Sequence, residues 1–452
     1  MSGIELALAG FGLMLLAIFA RVPIAVAMAL TGFIGVWIVR GSPTAPLAQM
    51  KTLTFDTFSS YSLSIVPLFL LMGQFATKSG MSSALFKAAQ DWLGHRKGGV
   101  AMAAVGACAG FGAVCGSSLA TASTMGQVAL PEMRKRGYSD ALSTGVLAAG
   151  GTLGILIPPS IILVIYAILT EQNIVKMFVA ALLPGILAAI GYMLTVAIYV
   201  RVRPGAGTVA ERVPYAERAK SFISTFPVIF IFVIVMYGIA GDWDWSNPGP
   251  DALFTPTEGA AVGAVLTMLY GLYTRELDWA GIKDSILATA QATAMIFLIV
   301  FGAALFNSFL AITQAPQSLA EWVSTQGFGP YTVLMAMLVA YLIFGCVMDS
   351  LSMILLTIPI FFPIVTVLDF GMTPEETAIW FGILALIVVE VGLITPPVGM
   401  NLFIINSMAK DIPMVRTYAG VTPFVASDLV RVVILVSFPA ITLWLVGIMF
   451  PG

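Results

Sequence analysis

Apolar runs of membrane-spanning length recur from one end of the chain to the other, separated by short polar or Gly- and Pro-bearing stretches. A helix needs about 17–25 mostly apolar residues to cross a bilayer. On that criterion the pattern predicts ten full spans, at about 4–20, 22–39, 61–77, 140–170, 177–200, 222–240, 258–273, 286–310, 378–408 and 425–449. Two further apolar segments, about 100–131 and 333–363, fit a single crossing poorly. Each is about 30 residues long, carries polar or breaking residues at its middle and ends on a proline, Pro131 or Pro363. A re-entrant hairpin, entering halfway and returning, fits both. The run from Ile4 lacks a basic leader and a small-residue cleavage site before a polar domain, so it reads as a retained span.

Within these runs one motif occurs twice. Gly154-Ile155-Leu156-Ile157-Pro158-Pro159-Ser160 reappears as Gly392-Leu393-Ile394-Thr395-Pro396-Pro397-Val398. Adjacent prolines remove two backbone donors and clash with the preceding turn, so neither helix runs through unbroken. In lipid a broken helix is tolerated only where protein buries it or where it lines a cavity. One break in each half is the mark of a transporter built from repeats.

The halves superpose in sequence at a nearly constant offset. Gly116-Ser117-Ser118 falls on Met348-Asp349-Ser350 and Pro131 on Pro363, both at 232 residues. Asp91-Trp92 matches Glu321-Trp322 at 230, Gly137 matches Gly371 at 234, and Pro158 matches Pro396 at 238. Each half thus holds a helix, a hairpin and a Pro-Pro-broken helix.

Charge placement orients the halves. His95-Arg96-Lys97 and Arg134-Lys135-Arg136 flank the first hairpin, whereas Asp369, Glu375 and Glu376 lie beyond the second, with no Lys or Arg near its ends. Cytoplasmic loops carry the excess of Lys and Arg, so the first hairpin enters from the cytoplasm and the second from outside. The segment 201–220 holds five basic residues and lies inside; the Trp-rich loop 241–257 lies outside. Both termini are then outside, on the periplasmic face, and the repeats are inverted.

Composition agrees: 59% of the 452 residues are hydrophobic, 10% are charged, and the mean hydropathy is +0.99. This excludes a soluble domain, and a net charge of −2 gives no reason to expect a nucleic-acid partner. Cys108, Cys115 and Cys346 read as small packing residues. His95 is the only histidine and is expected in a solvated loop, so a transition-metal or haem site lacks ligands.

The first hairpin tip, around Gly116-Ser117-Ser118 and Thr121, offers hydroxyls and open carbonyls; the break opposite offers the carbonyls of Gly154 to Ile157. These are hard oxygen donors suited to an alkali cation, although Ser and Thr also serve plain helix packing in membranes. The second tip carries Asp349 beside Ser350 and Ser352, and a carboxylate at membrane depth marks function by default. Its cation partner would also meet Gly392 and Thr395. Glu390 is a second buried carboxylate that either joins this chemistry or pairs with a distant base. Asn401 and Asn406 either meet a polar solute or make interhelix hydrogen bonds. The restarted half-helices, at Pro159-Ser160 and after Pro397, present N–H groups that favour an anion. Candidate solute contacts are therefore Ser117, Ser118, Thr121, Pro159, Ser160, Pro397 and Asn401. Candidate sodium ligands are Gly116, Ser117, Ser118, Gly154 and Ile157 at one site, and Asp349, Ser350, Ser352, Gly392 and Thr395 at the other.

Four stretches carry a resemblance to a known family: the tip motif just described, Pro131-Glu132-Met133-Arg134-Lys135-Arg136-Gly137-Tyr138-Ser139, Gly151-Thr152-Leu153 running into the first Pro-Pro motif, and Gly392 through Leu402. The chain resembles the large membrane (M) subunit of tripartite ATP-independent periplasmic (TRAP) transporters over nearly its whole length. The resemblance implies a sodium-driven elevator that works in the inner membrane with a small membrane (Q) subunit and a periplasmic solute-binding protein. It implies carboxylic or sulfonic acid solutes, and sodium sites at Ser117, Ser118, Asp349 and the two Pro-Pro regions. Val388-Val389 departs from the family, which often has an Asn before the residue matching Glu390.

The expected fold is thus an all-α polytopic membrane protein with inverted repeats. Residues 1–80 form scaffold helices and 81–200 the first transport-domain repeat. Residues 201–313 hold a cytoplasmic loop and arm helices, 314–420 the second repeat, and 421–452 a C-terminal helix. A single-component sodium/carboxylate symporter is the nearest alternative. An intramembrane enzyme would need a nucleophile–base pair or cofactor ligands that His95 alone does not supply, and a passive channel has no need of two opposed hairpins.

Overall fold

The computed structural model describes residues 3–241 and 252–450; residues 242–251, most of the predicted outer loop, lie outside the described residues. The described residues form α-helices and no strand. The first group is α1 (Gly3–Phe19), α2 (Ile24–Arg40), α3 (Thr44–Phe58), α4 (Ile65–Lys78) and α5 (Met81–Leu93). The first hairpin is α6 (Gly99–Cys115) and α7 (Ser118–Lys135), followed by the broken pair α8 (Asp140–Leu156) and α9 (Ile161–Leu169). Next come α10 (Ile174–Val202), α11 (Tyr215–Ser224), α12 (Phe226–Ala240), α13 (Pro256–Tyr273) and α14 (Trp279–Thr313). A short α15 (Ala315–Thr325) leads to the second hairpin, α16 (Pro330–Gly345) and α17 (Ser350–Thr366). The second broken pair is α18 (Pro374–Gly392) and α19 (Met400–Met408), and α20 (Met414–Ser437) and α21 (Ala440–Met449) close the chain.

The centre of the molecule is made by the two helices that precede the breaks. Every residue from Leu142 to Leu156 of α8 and from Thr377 to Gly392 of α18 is buried. A helix buried on every side has no face left for water or lipid and is enclosed by other helices. Accordingly α8 touches α6, α7, α10, α19 and α20, while α18 touches α16, α17, α20 and α21. A second group, α2 on α14 and α4 on α13, lies around this centre.

Both hairpins and both broken helices fall where the apolar pattern puts them, with three differences. Pro131 and Pro363 do not end their helices but lie inside α7 and α17. The single span expected at 425–449 is two helices, because α20 starts at Met414 and stops before Pro439. Proline disfavours helical backbone at the residue before it, and Phe438 has φ −129° and ψ 74°. Third, α3, α5, α11 and α15 are additional short helices; α3 meets the following helix at 54°. Only α10, α14 and α20 are singly long and apolar enough to cross a bilayer, and three bent pairs qualify when each is joined, among the described residues.

Pairs of charges fix the loop ends. Arg134 bonds Asp411 at 2.9 Å and Arg416 bonds Asp140 at 3.2 Å, joining the loops that enter α8 and α20. Lys176 bonds Glu375 at 2.6 Å where α10 and α18 begin. His95 lies partly exposed in the loop between α5 and α6; desolvation, then Arg218, Arg212 and Arg96, hold its imidazole below the ordinary value.

Candidate functional site

The first tip is a two-residue break. Gly116 ends α6 with φ +65°, a left-handed conformation that Gly adopts without strain, and a Cβ there would stand 2.9 Å from Pro159 O. Ser117 is extended and caps α7, its hydroxyl accepting from Ala120 N at 3.4 Å. Ser118 and Thr121 face inward and are buried, and Thr121 Oγ1 has no hydrogen-bond partner.

This tip lies directly on the first break. A Cβ on Gly112 would stand 2.7 Å from Gly154 Cα; one on Gly154 would collide with Thr121 Oγ1 and come within 2.6 Å of Ser117 O. The second half repeats the contact: a Cβ on Gly392 would stand 2.6 Å from Gly345 Cα. Pro158 and Pro159 bring no N–H to the carbonyls four residues back, those of Gly154 and Ile155. The break therefore keeps open acceptors against the hydroxyls of the tip. Ile157 is extended, and its own N–H bonds Leu153 O at 3.1 Å.

At the second tip Asp349 caps α17, accepting from Ser352 N at 3.1 Å and Ser352 Oγ at 2.5 Å. Ser350 turns the other way and donates to Glu390 Oε1 at 2.7 Å. Thr395 Oγ1 donates to Val391 O at 2.6 Å, and Gly392 O accepts from Thr395 N at 3.0 Å, so the turn uses part of the Gly392 acceptor. Gly399 N bonds Cys346 O at 3.2 Å, which fastens the second break to the second tip.

The candidate solute contacts divide. Asn401 is fully buried and reaches across the halves: its side-chain amide donates to Ala148 O of α8 at 3.3 Å, while its Oδ1 has no partner. Pro159 and Ser160 are buried, and Ser160 Oγ accepts from Leu163 N at 3.4 Å. Pro397 is exposed, and its carbonyl accepts from Tyr418 OH at 2.7 Å. Asn406 instead accepts from Thr417 Oγ1 at 3.2 Å, an interhelix bond. Cys108, Cys115 and Cys346 are unpaired and buried.

A buried polar chain next to the first break was not singled out in the sequence. Thr152 Oγ1 lies 3.0 Å from Tyr192 OH, which donates to Asp428 Oδ2 at 2.6 Å; Asp428 Oδ1 pairs with Arg431 at 2.9 Å. Arg431 Nε and Nη1 have no hydrogen-bond partner. Asp428 and Arg431 also line a cleft of about 650 Å³ between α10 and α20. Two opposite charges three residues apart within an apolar run are the signal that marks them.

Residues 11–441 match the family model of the tripartite ATP-independent periplasmic transporter, DctM component. The chain is 37% identical over 390 residues to the C4-dicarboxylate TRAP transporter large permease protein DctM of Pseudomonas aeruginosa, covering 86% of this chain and 87% of that one. It is 29% identical to the isethionate TRAP transporter permease protein DctMQ of Oleidesulfovibrio alaskensis over 97% of its own length and 66% of the relative's. It is 28% identical to the sialic acid TRAP transporter permease protein SiaT of Haemophilus influenzae, with 87% and 61% covered. In three dimensions it is similar to the Alcanivorax borkumensis YdaH transporter, with TM-score 0.64 at 15% identity and 90% of each chain covered, a likeness of fold.

Proposed function

The chain belongs to the DctM family of tripartite ATP-independent periplasmic transporters, and from that premise we propose that it is the sodium-coupled permease for a small organic acid. The observation that carries the reading is the seating of each hairpin tip on a Pro-Pro break. Oxygens gather there without partners: Thr121 Oγ1, Asn401 Oδ1 and Glu390 Oε2 are all in fully buried residues. Hard oxygens left unbonded in a buried site suit an alkali cation. The relatives' named solutes, C4-dicarboxylates, isethionate and sialic acid, are carboxylates or sulfonates, and the restarted half-helices favour such an anion. A small membrane subunit and a periplasmic binding protein complete the system, in the bacterial inner membrane with both termini periplasmic.

The decisive measurement is uptake into proteoliposomes holding both membrane subunits, with binding protein and solute outside. Uptake requires an inward sodium gradient and no ATP, and Asp349→Asn abolishes this sodium-coupled uptake while the protein stays folded. Uptake that persists in sodium-free buffer overturns the reading.

We further infer that 81–200 and 314–420 move as one block against the remaining helices. Support comes from Asn401, which ties α19 to α8, and from the packing of both broken helices into one centre. A side chain cannot carry a solute across about 30 Å of hydrocarbon. Cysteine pairs between α6 and α12, packed elements of different groups, should crosslink in one state and abolish uptake. Full transport in the crosslinked protein refutes block movement.

A further inference from the structure

We propose that Arg218 forms a headgroup site for an anionic phospholipid, on the face that the excess of Lys and Arg marks as cytoplasmic. Arg218 belongs to α11, the short helix between α10 and α12. Only Arg218 and Ser221 of this helix are buried, three residues apart on the side where it packs on α5. A surface helix ordinarily turns apolar side chains to such a contact. Here it turns an arginine, 3% exposed, that makes no ion pair among the described residues. Its Nε and Nη2 are buried without a hydrogen-bond partner. The Tyr215 ring, centred 5.2 Å from the guanidinium carbon, offsets part of the charge but leaves those two N–H groups unbonded. The backbone beneath is held in place: Trp92 Nε1 of α5 donates to Arg218 O at 3.2 Å, and Ser221 Oγ donates to the same carbonyl at 3.0 Å.

A buried guanidinium with open N–H groups is costly unless an anion joins it. Nε and Nη2 form one edge of the fork, and that edge matches two oxygens of a phosphate. Arg212 stands 5.5 Å from the centre of the same Tyr215 ring, donates to its hydroxyl at 2.8 Å and brings a second charge to the rim. Ala210 N donates to Gly94 O at 3.0 Å, which draws in the loop of His95, Arg96 and Lys97. His95 Nδ1 there is also buried without a partner. Asp91, Glu211 and Glu217 lie in the same segments, yet none makes an ion pair among the described residues. The exposed side of the helix names the source of the phosphate. Tyr215, Phe222, Ile223 and, at the head of α12, Phe226 are 54–69% exposed. An amphipathic helix of this kind lies in the headgroup plane with its apolar side chains among acyl chains. The phosphate beside it is therefore that of a lipid, and a bound headgroup fastens α11 to α5 and to the His95 loop.

The test is thermal unfolding of the full chain with its small subunit, stripped of lipid in a neutral maltoside detergent. Dioleoylphosphatidylglycerol, dioleoylphosphatidylcholine and sodium phosphate are titrated in turn at constant ionic strength. Phosphatidylglycerol should raise the wild-type midpoint to a plateau, and the other two should leave it unmoved. Arg218→Met should keep or raise the lipid-free midpoint, because it retains the apolar stem and removes an uncompensated charge. It should also raise the half-stabilising phosphatidylglycerol concentration by ~10–100-fold, the worth of hydrogen bonds to a charged group. Lys220→Gln, an exposed position on the same helix, should change that concentration little. Arg218→Lys keeps the charge but not the fork, so it too should weaken the response, and it carries the test if Arg218→Met fails to fold. An unchanged phosphatidylglycerol response in either Arg218 variant overturns the site, whatever the lipid-free midpoint does. Equal stabilisation by phosphatidylcholine or by sodium phosphate overturns the anionic lipid as occupant. No response to phosphatidylglycerol in wild type overturns the proposal outright.

Discussion

Replacing Arg431 by Leu should be among the most damaging single changes outside the hairpins. Its guanidinium pairs with Asp428 at 2.9 Å, with side chains only 5% and 2% exposed. Removing the base leaves Asp428 with Tyr192 OH alone, at 2.6 Å. Breaking a buried pair from one side costs about 3–5 kcal/mol, because the survivor is an uncompensated charge. Replacing both residues by Leu removes that charge too, and apolar replacements of buried pairs are often neutral or stabilising. The double variant Asp428→Leu/Arg431→Leu should therefore recover most of the loss. Tyr192→Phe, which deletes only the bridging hydroxyl, should cost about 0.6–1.7 kcal/mol, the range for interhelix hydrogen bonds in membranes. The assay is reversible unfolding in mixed micelles followed by circular dichroism, run as a double-mutant cycle. A loss below about 1 kcal/mol for Arg431→Leu, or a double variant as unstable as the sum of its parts, refutes the argument.

Gly154→Ala should stop transport while the chain still inserts: the added methyl meets Thr121 Oγ1 and Ser117 O, and overpacking of this kind costs about 1–3 kcal/mol. Wild-type uptake rates would show that tip and break never close this tightly. Arg134 holds the Asp411 carboxyl below its ordinary value. A carboxyl with a lowered folded value contributes stability above its unfolded value of about 3.9 and loses it as pH falls further. The midpoint difference between wild type and Asp411→Asn should be flat from about pH 5 to 8 and shrink only in acid. A difference that changes near pH 6–7 would place another group, such as His95, in control.

Much of this architecture is legible in the chain because membrane burial writes coarse signals. The Pro-Pro breaks, the small-residue tips and the length of the apolar runs each follow from backbone chemistry in lipid. What escaped is of two kinds. Helices such as α3 and α15 are short and mixed in polarity, so no apolar window reveals them. The second kind is contact between segments far apart in sequence. That Glu390 meets Ser350, that Asn401 meets Ala148, and that Tyr192 joins Thr152 to Asp428 depend on which faces adjoin. Spacing along one strand of sequence carries no record of such meetings. The choice between packing and chemistry for Asn406 is open in the sequence for the same reason; in the structure its Oδ1 accepts from Thr417 Oγ1.

The longest helix has a consequence for the lipid itself. At 35 residues, α14 is about 52 Å long, against roughly 30 Å of hydrocarbon. Even tilted by 40°, the upper end of the usual range, it rises about 40 Å and overshoots the apolar layer by about 10 Å. Its amino-terminal end is anchored by Asp284 to Lys78 at 3.4 Å, and α2 packs along it. Such a rod acts as a ruler between the two faces of the bilayer. In thinner lipid it must lean further or stand prouder of the surface, and the helices fixed to it must follow. The thickness of the host membrane thereby becomes a setting of the machine.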